Sequence, residues 1–499
     1  MNMKQRFPSA MILFVGLAAA QVLAAVHVYL SNAALYDKLL AVERTGYLAV
    51  PNHHSMSRLL EFSPAFFGGL FFTVSAGAGI SLCSLFAVWM RQYIVRREKI
   101  FIVPFLMLWA WCLVMINLRG FEPLATSYFV VVPLVVFSVA LKWIPRGCGE
   151  LNWLAVAAHL LPIIVLALTW TSQLDRYLFT DLRDHLLLTN RLGMHVNDFY
   201  YRYTLYPAEV FKSLDQKMLK TCTLKSVTEE DALLLERAMA KQDYVTPEDT
   251  GTVDVSFTRA NDTILFQRQG KTIFQDTMKA FLSRPQISLR DFSFKTDRHA
   301  FFRQFTFLSL VVAFPITLYI CLFCLLRFAL SRLSFAGSAP FIASALCFLA
   351  GMGLLLFFHV SRAEITDVKN VPEALASGRW QERVAALKLI EEERLEMGKY
   401  LAYKHSMASP YIPERYWLAR AMGVSRQKET YKDLVVLLDD PHPNVVCMAC
   451  YALGRRGDRT AIGEIMKRFK ASTHWYIQWH AYKALRTLGW TQTRSQKKP

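Results

Sequence analysis

The sequence predicts a mainly α-helical chain: a polytopic membrane protein with seven transmembrane helices, a small α+β extramembrane insertion and a C-terminal α-solenoid. Three observations lead there. Of 499 residues, 54% are hydrophobic and only 19% charged, and a mean hydropathy of +0.24 over this length is expected when lipid solvates part of the surface. Seven long stretches carry no Asp, Glu, Lys or Arg. Towards the C-terminus an apolar pattern recurs every 31 or 32 residues. The same figures exclude a disordered chain and an ordinary soluble enzyme.

A hydrocarbon core about 30 Å thick takes roughly 20 apolar residues in a helix. The seven stretches are residues 7–36, 64–90, 100–118, 123–141, 151–174, 304–326 and 333–361. Each must be helical, because lipid offers no partner to a free N–H or C=O. Pro104, Pro133, Pro162 and Pro315 fall inside four of them and predict kinks. The first stretch follows Lys4 and Arg6 as a signal peptide would, but its apolar run to Leu30 exceeds a signal core and reads as an uncleaved anchor. Gly68, Gly69, Gly77 and Gly79 give the second span a small-residue face suited to close helix packing. No ionisable carboxylate, Lys or Arg falls within a span, which argues against a pump or proton-coupled carrier.

Positive charge sets the orientation. With the N-terminus inside, Lys4, Arg6, Arg91, Arg96, Arg97, Lys99, Lys142, Arg146, Arg327 and Arg332 lie inside, and only Lys38, Arg44, Arg58 and Arg119 occupy short outer loops. The chain is then integral to a plasma or bacterial inner membrane with a cytoplasmic N-terminus. Both long polar segments, 175–303 and 362–499, lie on one side, the extracytoplasmic one. The expected domains are 1–174 (five spans), 175–303 (insertion), 304–361 (a two-span hairpin) and 362–499 (repeats).

The insertion carries 19 basic and 18 acidic residues. Leu182, Leu186, Leu187 and Leu192, then Ala208 through Leu219, recur at helical spacing. The period then changes: Val253, Val255 and Phe257 alternate, Ile264 and Phe266 alternate after a turn at 259–262, and Gly270 precedes Thr272 and Phe274, which predicts a small β-meander. Residues 197–207 (NDFYYRYTLYP) are dense in tyrosine, as expected of a partner surface or of packing onto the interfacial belt of a bilayer.

Residues 362–499 hold 24 basic and 15 acidic residues. Residues 440–458 (DPHPNVVCMACYALGRRGD) start a helix after proline and stop at glycines. Val445, Ala449, Ala452 and Leu453 return 32 residues later as Ile477, Ala481, Ala484 and Leu485; Leu418, Ala421, Met422 and Gly423 precede them by 31, with a fainter copy at Ala386 and Leu387. Such a period with paired helices marks an α-solenoid. Residues 443–458 resemble a HEAT repeat of the short type also seen in phycobilisome-lyase-like proteins, including the Ala-Leu-Gly ending, and the resemblance extends over about 372–490. It departs in two places. Val446 stands where the family often has Arg, which weakens a shared polar ladder, and Arg486 replaces the glycine of the last copy, which suits a capping repeat. The resemblance implies a binding surface and a protein partner. Arg420, Tyr451 and Lys483 sit three residues before each repeat's terminal glycine or its equivalent and are the expected partner-contact row.

Few residues suggest chemistry. His53 and His54 share a loop with Asn52 and Ser55, but adjacent histidines point to different faces, and a metal would need further ligands such as Glu61. His27, His159 and His359 lie near span ends, where an imidazole reaches the interface; two of them facing each other would be needed for a haem. Cys321 with Cys324 and Cys447 with Cys450 read as small packing residues, and Cys222, Cys447 and Cys450 are an odd number in the polar segments, which does not indicate a disulfide network. Phosphate-binding glycine loops, nucleophile elbows and the zinc-protease pattern are missing from the sequence.

The expected function is therefore that of a non-enzymatic integral membrane scaffold or assembly protein, with no catalytic residue, cofactor or metal. Its partners are an unidentified protein and the lipid bilayer, anionic headgroups included, and no nucleic acid. Two alternatives stay open: a transporter or channel-like subunit with regulatory polar domains, and a membrane-bound transferase using His53, His54, Asp175 or Asp181.

Overall fold

A computed structural model describes residues 8–91, 103–144, 153–248, 253–333 and 337–494. The expectations placed on Lys4, Arg6, Arg96, Arg97, Lys99 and Arg146, and on the first residues of the third and fifth spans, lie outside the described residues. Helices dominate. An apolar bundle begins with α1 (Pro8–Arg44), α2 (Phe62–Trp89), α3 (Val103–Asn117), α4 (Pro123–Trp143) and α5 (Trp153–Thr171). The insertion that follows holds α6 (Arg191–Tyr203) and α7 (Glu229–Ala240). The bundle is completed by α8 (Ala300–Arg332) and α9 (Ala339–Ser361). The repeats contribute α10 (Trp380–Glu392), α11 (Ile412–Met422), α12 (Lys428–Leu437), α13 (Pro443–Arg456), α14 (Ala461–Ala471) and α15 (Trp475–Thr487).

Among the described residues five helices, α1, α2, α4, α8 and α9, are long and apolar enough to cross a membrane, while α3 and α5 are apolar but shorter over their described length. The seven expected spans thus correspond to five long helices and two shorter ones. The small residues of α2 act as packing surfaces: a Cβ on Gly69 would meet the Ala24–Ala25 backbone of α1 at about 3.1 Å, and one on Gly79 would sit 2.1 Å from Ser309 Oγ of α8. Of the four prolines, Pro133 and Pro162 lie inside regular α-helix. Pro104 falls in the first turn of α3, and Pro315 follows a π turn at Ser309–Ala313 whose extra residue accommodates the missing donor. A second π turn, Thr73–Gly77, interrupts α2.

The sheet of the insertion has the order β2-β1-β3-β4-β5, with strands β1 (Lys220–Lys225), β2 (Tyr244–Val245), β3 (Val255–Ala260), β4 (Thr263–Arg268) and β5 (Lys271–Thr277). Strands β3 to β5 form the expected antiparallel meander. Its turns use the positive φ of Asn261 and of Gln269-Gly270. Two strands are additional: β1 pairs in parallel with both β2 and β3, and α7 makes the crossover between β1 and β2. The helix expected to run to Leu219 ends at Phe211 instead. Lys-Thr-Cys-Thr-Leu-Lys then extends, because the alternation of Cys222 and Leu224 with threonines packs that strand onto a core of Phe257, Phe266, Phe281 and Phe292. Asp254, beside this strand, is buried. Burial opposes its charge, but Lys38 of α1 at 2.8 Å, Lys217 and the Thr221 amide hold its carboxyl well below the ordinary range. That ion pair ties the end of α1 to the sheet.

In the repeat region α10, α11, α13 and α15 stack as one layer, and α12 and α14 cover it on one side, around a single core that includes Trp417, Leu434, Leu453, Ile465, Phe469 and Leu485. The Ala-Leu-Gly endings have a direct cause: a Cβ on Gly423 would stand 3.0 Å from Ala452 Cα, and one on Gly454 3.0 Å from Ala484 Cα, so glycine and alanine set how closely successive repeats approach.

Candidate interaction surface of the repeat region

The polar ladder whose gap the resemblance places at Val446 runs through the equivalent positions 383, 415, 446 and 478. Arg383 forks onto Glu414 with two bonds of 2.7 Å and donates to Ser377 O; Arg415 pairs with Asp440 at 2.7 Å and donates to Ser409 O. Burial raises the cost of charge at Glu414, and Arg383 and Ser409 outweigh it, holding the carboxyl below its ordinary value. Val446 breaks the ladder and is fully buried. Gln478 resumes it, donating to Ser472 O in the same manner. Two histidines at matching sites, His442 and His474, cap α13 and α15: each Nδ1 accepts from the backbone two residues on, at 3.3 and 3.2 Å. An accepting Nδ1 requires neutral imidazole, and burial lowers both pKa values, that of His474 to about 4.

Opposite the α12–α14 side, the first layer is covered by the chain itself. Asp181 receives Arg362 Nη2, just past α9, at 2.6 Å and Lys388 Nζ of α10 at 2.7 Å. Asp184 is gripped by Arg183 and accepts from Trp417 Nε1 at 2.8 Å, while the Arg183 guanidinium lies 3.9 Å over the Tyr416 ring. His185 stacks on Trp380, and burial lowers its pKa. Further along, Tyr201 meets Tyr476 edge-on, and the loop after α1 docks on α15: Asn52 N–H donates to Gln478 Oε1 at 3.0 Å, and Gln478 Nε2 donates back to Asn52 Oδ1 at 2.8 Å and to Ser55 Oγ at 3.0 Å. Arg486, expected to mark a capping repeat, pairs with Asp243 at 2.6 Å and donates to the Ala240 and Lys241 carbonyls that end α7, so the last repeat is covered by the insertion.

What remains open on the first layer is the strip that holds the expected contact row. Tyr451 is 38% exposed and Lys483 is exposed. Arg420 is held within the fold: its Nε lies 2.9 Å from Glu391, which Arg455 also reaches at 2.7 Å, and its guanidinium stacks 4.4 Å over Trp417. The structure brings Arg420 and Tyr451 together, 5.9 Å from guanidinium carbon to ring centre. Lys483 sits on the next helix against Trp479, a ring it shares with Lys212 of the insertion.

The other candidates separate. His53 and His54 are exposed on one short helix, with Asn52 and Ser55 as the docking residues of that loop. Asp175 and Asp181 pair with Arg362 beside α10, at the opposite end of the stack from Gln478. Among the described residues no group of three His, Cys, Asp or Glu is placed to hold a metal. His27 is 2% exposed, edge-on to Phe211, with His299 of the insertion 6.3 Å away. His359 is exposed, and the side chain of His159 lies outside the described residues. Cys222, Cys447 and Cys450 are free and buried. The clamp residues Asp181, Asp184, Arg362, Lys388 and Trp417 escaped the sequence reading as a unit; the one signal was the buried-type mixture of Asp and Leu at 181–188.

Residues 405–486 match HEAT repeats, so the C-terminal part contains a HEAT-repeat region; the match is to HEAT repeats as a class and carries no statement about the lyase-like type. No curated protein and no solved structure matches the chain.

Proposed function

We propose that the chain is a non-enzymatic integral membrane scaffold that recruits a protein partner through the exposed strip of its HEAT region. One observation carries the reading: a repeat stack, the usual architecture of a binding surface, is clamped to the apolar bundle through Asp181, which joins Arg362 at the end of α9 to Lys388 of α10. A partner held on the stack is thereby held at the membrane.

Seven crossings with the N-terminus inside gain support from which loops meet. The loop after α1 touches the repeats through Asn52 and Gln478. The loop between α3 and α4 touches the insertion through Arg119, which donates to Phe294 O at 3.0 Å. The insertion touches the repeats through Tyr482 and Asp243 at 2.8 Å. These four segments are the ones that alternating crossings put on one side, and a contact between two of them requires that they share it. Positive-inside counting makes that side extracytoplasmic.

The test uses the full chain in detergent, because 177–203 covers the repeats and an isolated C-terminal fragment would expose that face. The expected result is a single protein partner whose affinity falls at least about tenfold, a change of ~1.4 kcal/mol, in the Tyr451→Ala, Lys483→Glu double variant with unchanged thermal unfolding. Binding indifferent to both substitutions refutes the assignment of the strip.

A further inference from the structure

We propose that α6 is an in-plane interfacial helix that seats the repeat stack on the bilayer, with lipid as the occupant of its outer face. This rests on the membrane reading above and adds to it a second, non-spanning contact.

The helix has three faces. Gly193 and Asn197 are buried, with Asn197 Oδ1 accepting from Asn444 of α13 at 3.4 Å, and Tyr201 packs on Tyr476. Leu192, Val196, Phe199 and Tyr200, at spacings of four, seven and eight from the first, form one stripe and are all exposed; Leu192 is 75% and Val196 49% exposed. Arg191, His195 and Arg202 line one flank of that stripe with Asp198 beside them, and all four are exposed. In water such a stripe is unfavourable for a helix already packed on its other side, whereas the headgroup boundary takes apolar side chains on one face and cations at its edge.

The location decides for lipid over a protein partner. Phe199 and Tyr203 both pack on Phe67 in the first turns of α2, with ring centres 5.5 and 5.1 Å away, and the neighbouring Phe62 and Phe66 of α2 are exposed. The stripe is therefore continuous with the outward apolar surface of a helix long enough to cross the membrane, on the side away from the repeats. With Arg191 and Arg202 against the single carboxylate of Asp198, the flank is net basic and complements anionic headgroups.

The experiment places the photoreactive residue p-benzoylphenylalanine singly at Leu192 or Val196 in the full chain, reconstituted in vesicles of phosphatidylethanolamine and phosphatidylglycerol, and weighs the illuminated protein. Leu134, exposed on α4, is the control for the spanning helices, and Lys467 on α14 the control for water. All four side chains are exposed, so folding is not at stake. The expected result is a one-phospholipid adduct at 192 and 196, at least about fivefold above that at 467 and comparable to that at 134. Adducts at 134 without adducts at 192 and 196, or adducts of those two to protein, overturn this inference alone. No lipid adduct at 134 overturns the membrane reading and this inference with it.

Discussion

The indole N–H of Trp417 donates to Asp184 Oδ2 at 2.8 Å, across 233 residues of chain. Both groups are buried, and Lys388 and Arg420 stack on the same indole. Trp417→Phe keeps most of the ring and leaves one oxygen of a buried carboxylate without that donor. The expected cost is about 1–3 kcal/mol, read as a lower melting temperature of the detergent-solubilised chain; an unchanged melting temperature would show that the bond contributes nothing.

Asp181 stands between two cations of different elements, Arg362 and Lys388. Asp181→Ala removes the shared partner and leaves both charges facing each other in a half-buried site. Losing one member of a buried pair costs roughly 3–5 kcal/mol, less where water reaches it. The expected readout is local: faster proteolysis between α9 and α10, with the bundle itself intact.

His442 and His474 make the repeat stack acid-sensitive. Their folded pKa values are depressed, so their contribution to stability is complete above the ordinary value of 6.5 and is lost as pH falls towards about 4, the folded value for His474. For His474 the loss is on the order of 2 kcal/mol after allowing for partial exposure. Thermal unfolding followed from pH 7 to pH 4 should show this slope, and the His442→Asn, His474→Asn variant, which keeps a side-chain cap, should reduce it, leaving the part due to the other buried histidines such as His480.

The break in the ladder yields a test of the repeat register. Val446 is fully buried at the position equivalent to Arg415, and where Arg415 meets the carboxylate of Asp440 in the next repeat, position 446 would meet the neutral side chain of Ser472. Val446→Arg should therefore destabilise by several kcal/mol, since an unpaired charge is buried, although it restores the residue common in the family. A neutral effect would mean that the ladder is misassigned.

The repeats and the meander were legible because their signals are local: a glycine–alanine contact recurs at a fixed interval, and alternation with turn residues marks antiparallel strands. Strand β1 was not, since a short parallel strand flanked by lysines has neither a turn nor a long apolar run to announce it. The apolar helices could be read from composition alone, whereas their docking on the repeats depends on single polar residues. Asn52 and Ser55 carry that contact, not the neighbouring histidines that drew notice as candidate ligands. Arg420, chosen for its repeat position, turned out to be engaged by Glu391, because helical spacing gives a residue's face and says nothing of which carboxylate another repeat brings to it.

The central claim is that the strip around Tyr451 holds a protein at the membrane. A photoreactive residue at position 451 of the full chain, illuminated in the cells that naturally produce it, tests this most directly. One protein adduct of defined mass, lost on Lys483→Glu, is the predicted result; no protein adduct, or one unaffected by Lys483→Glu, would contradict it.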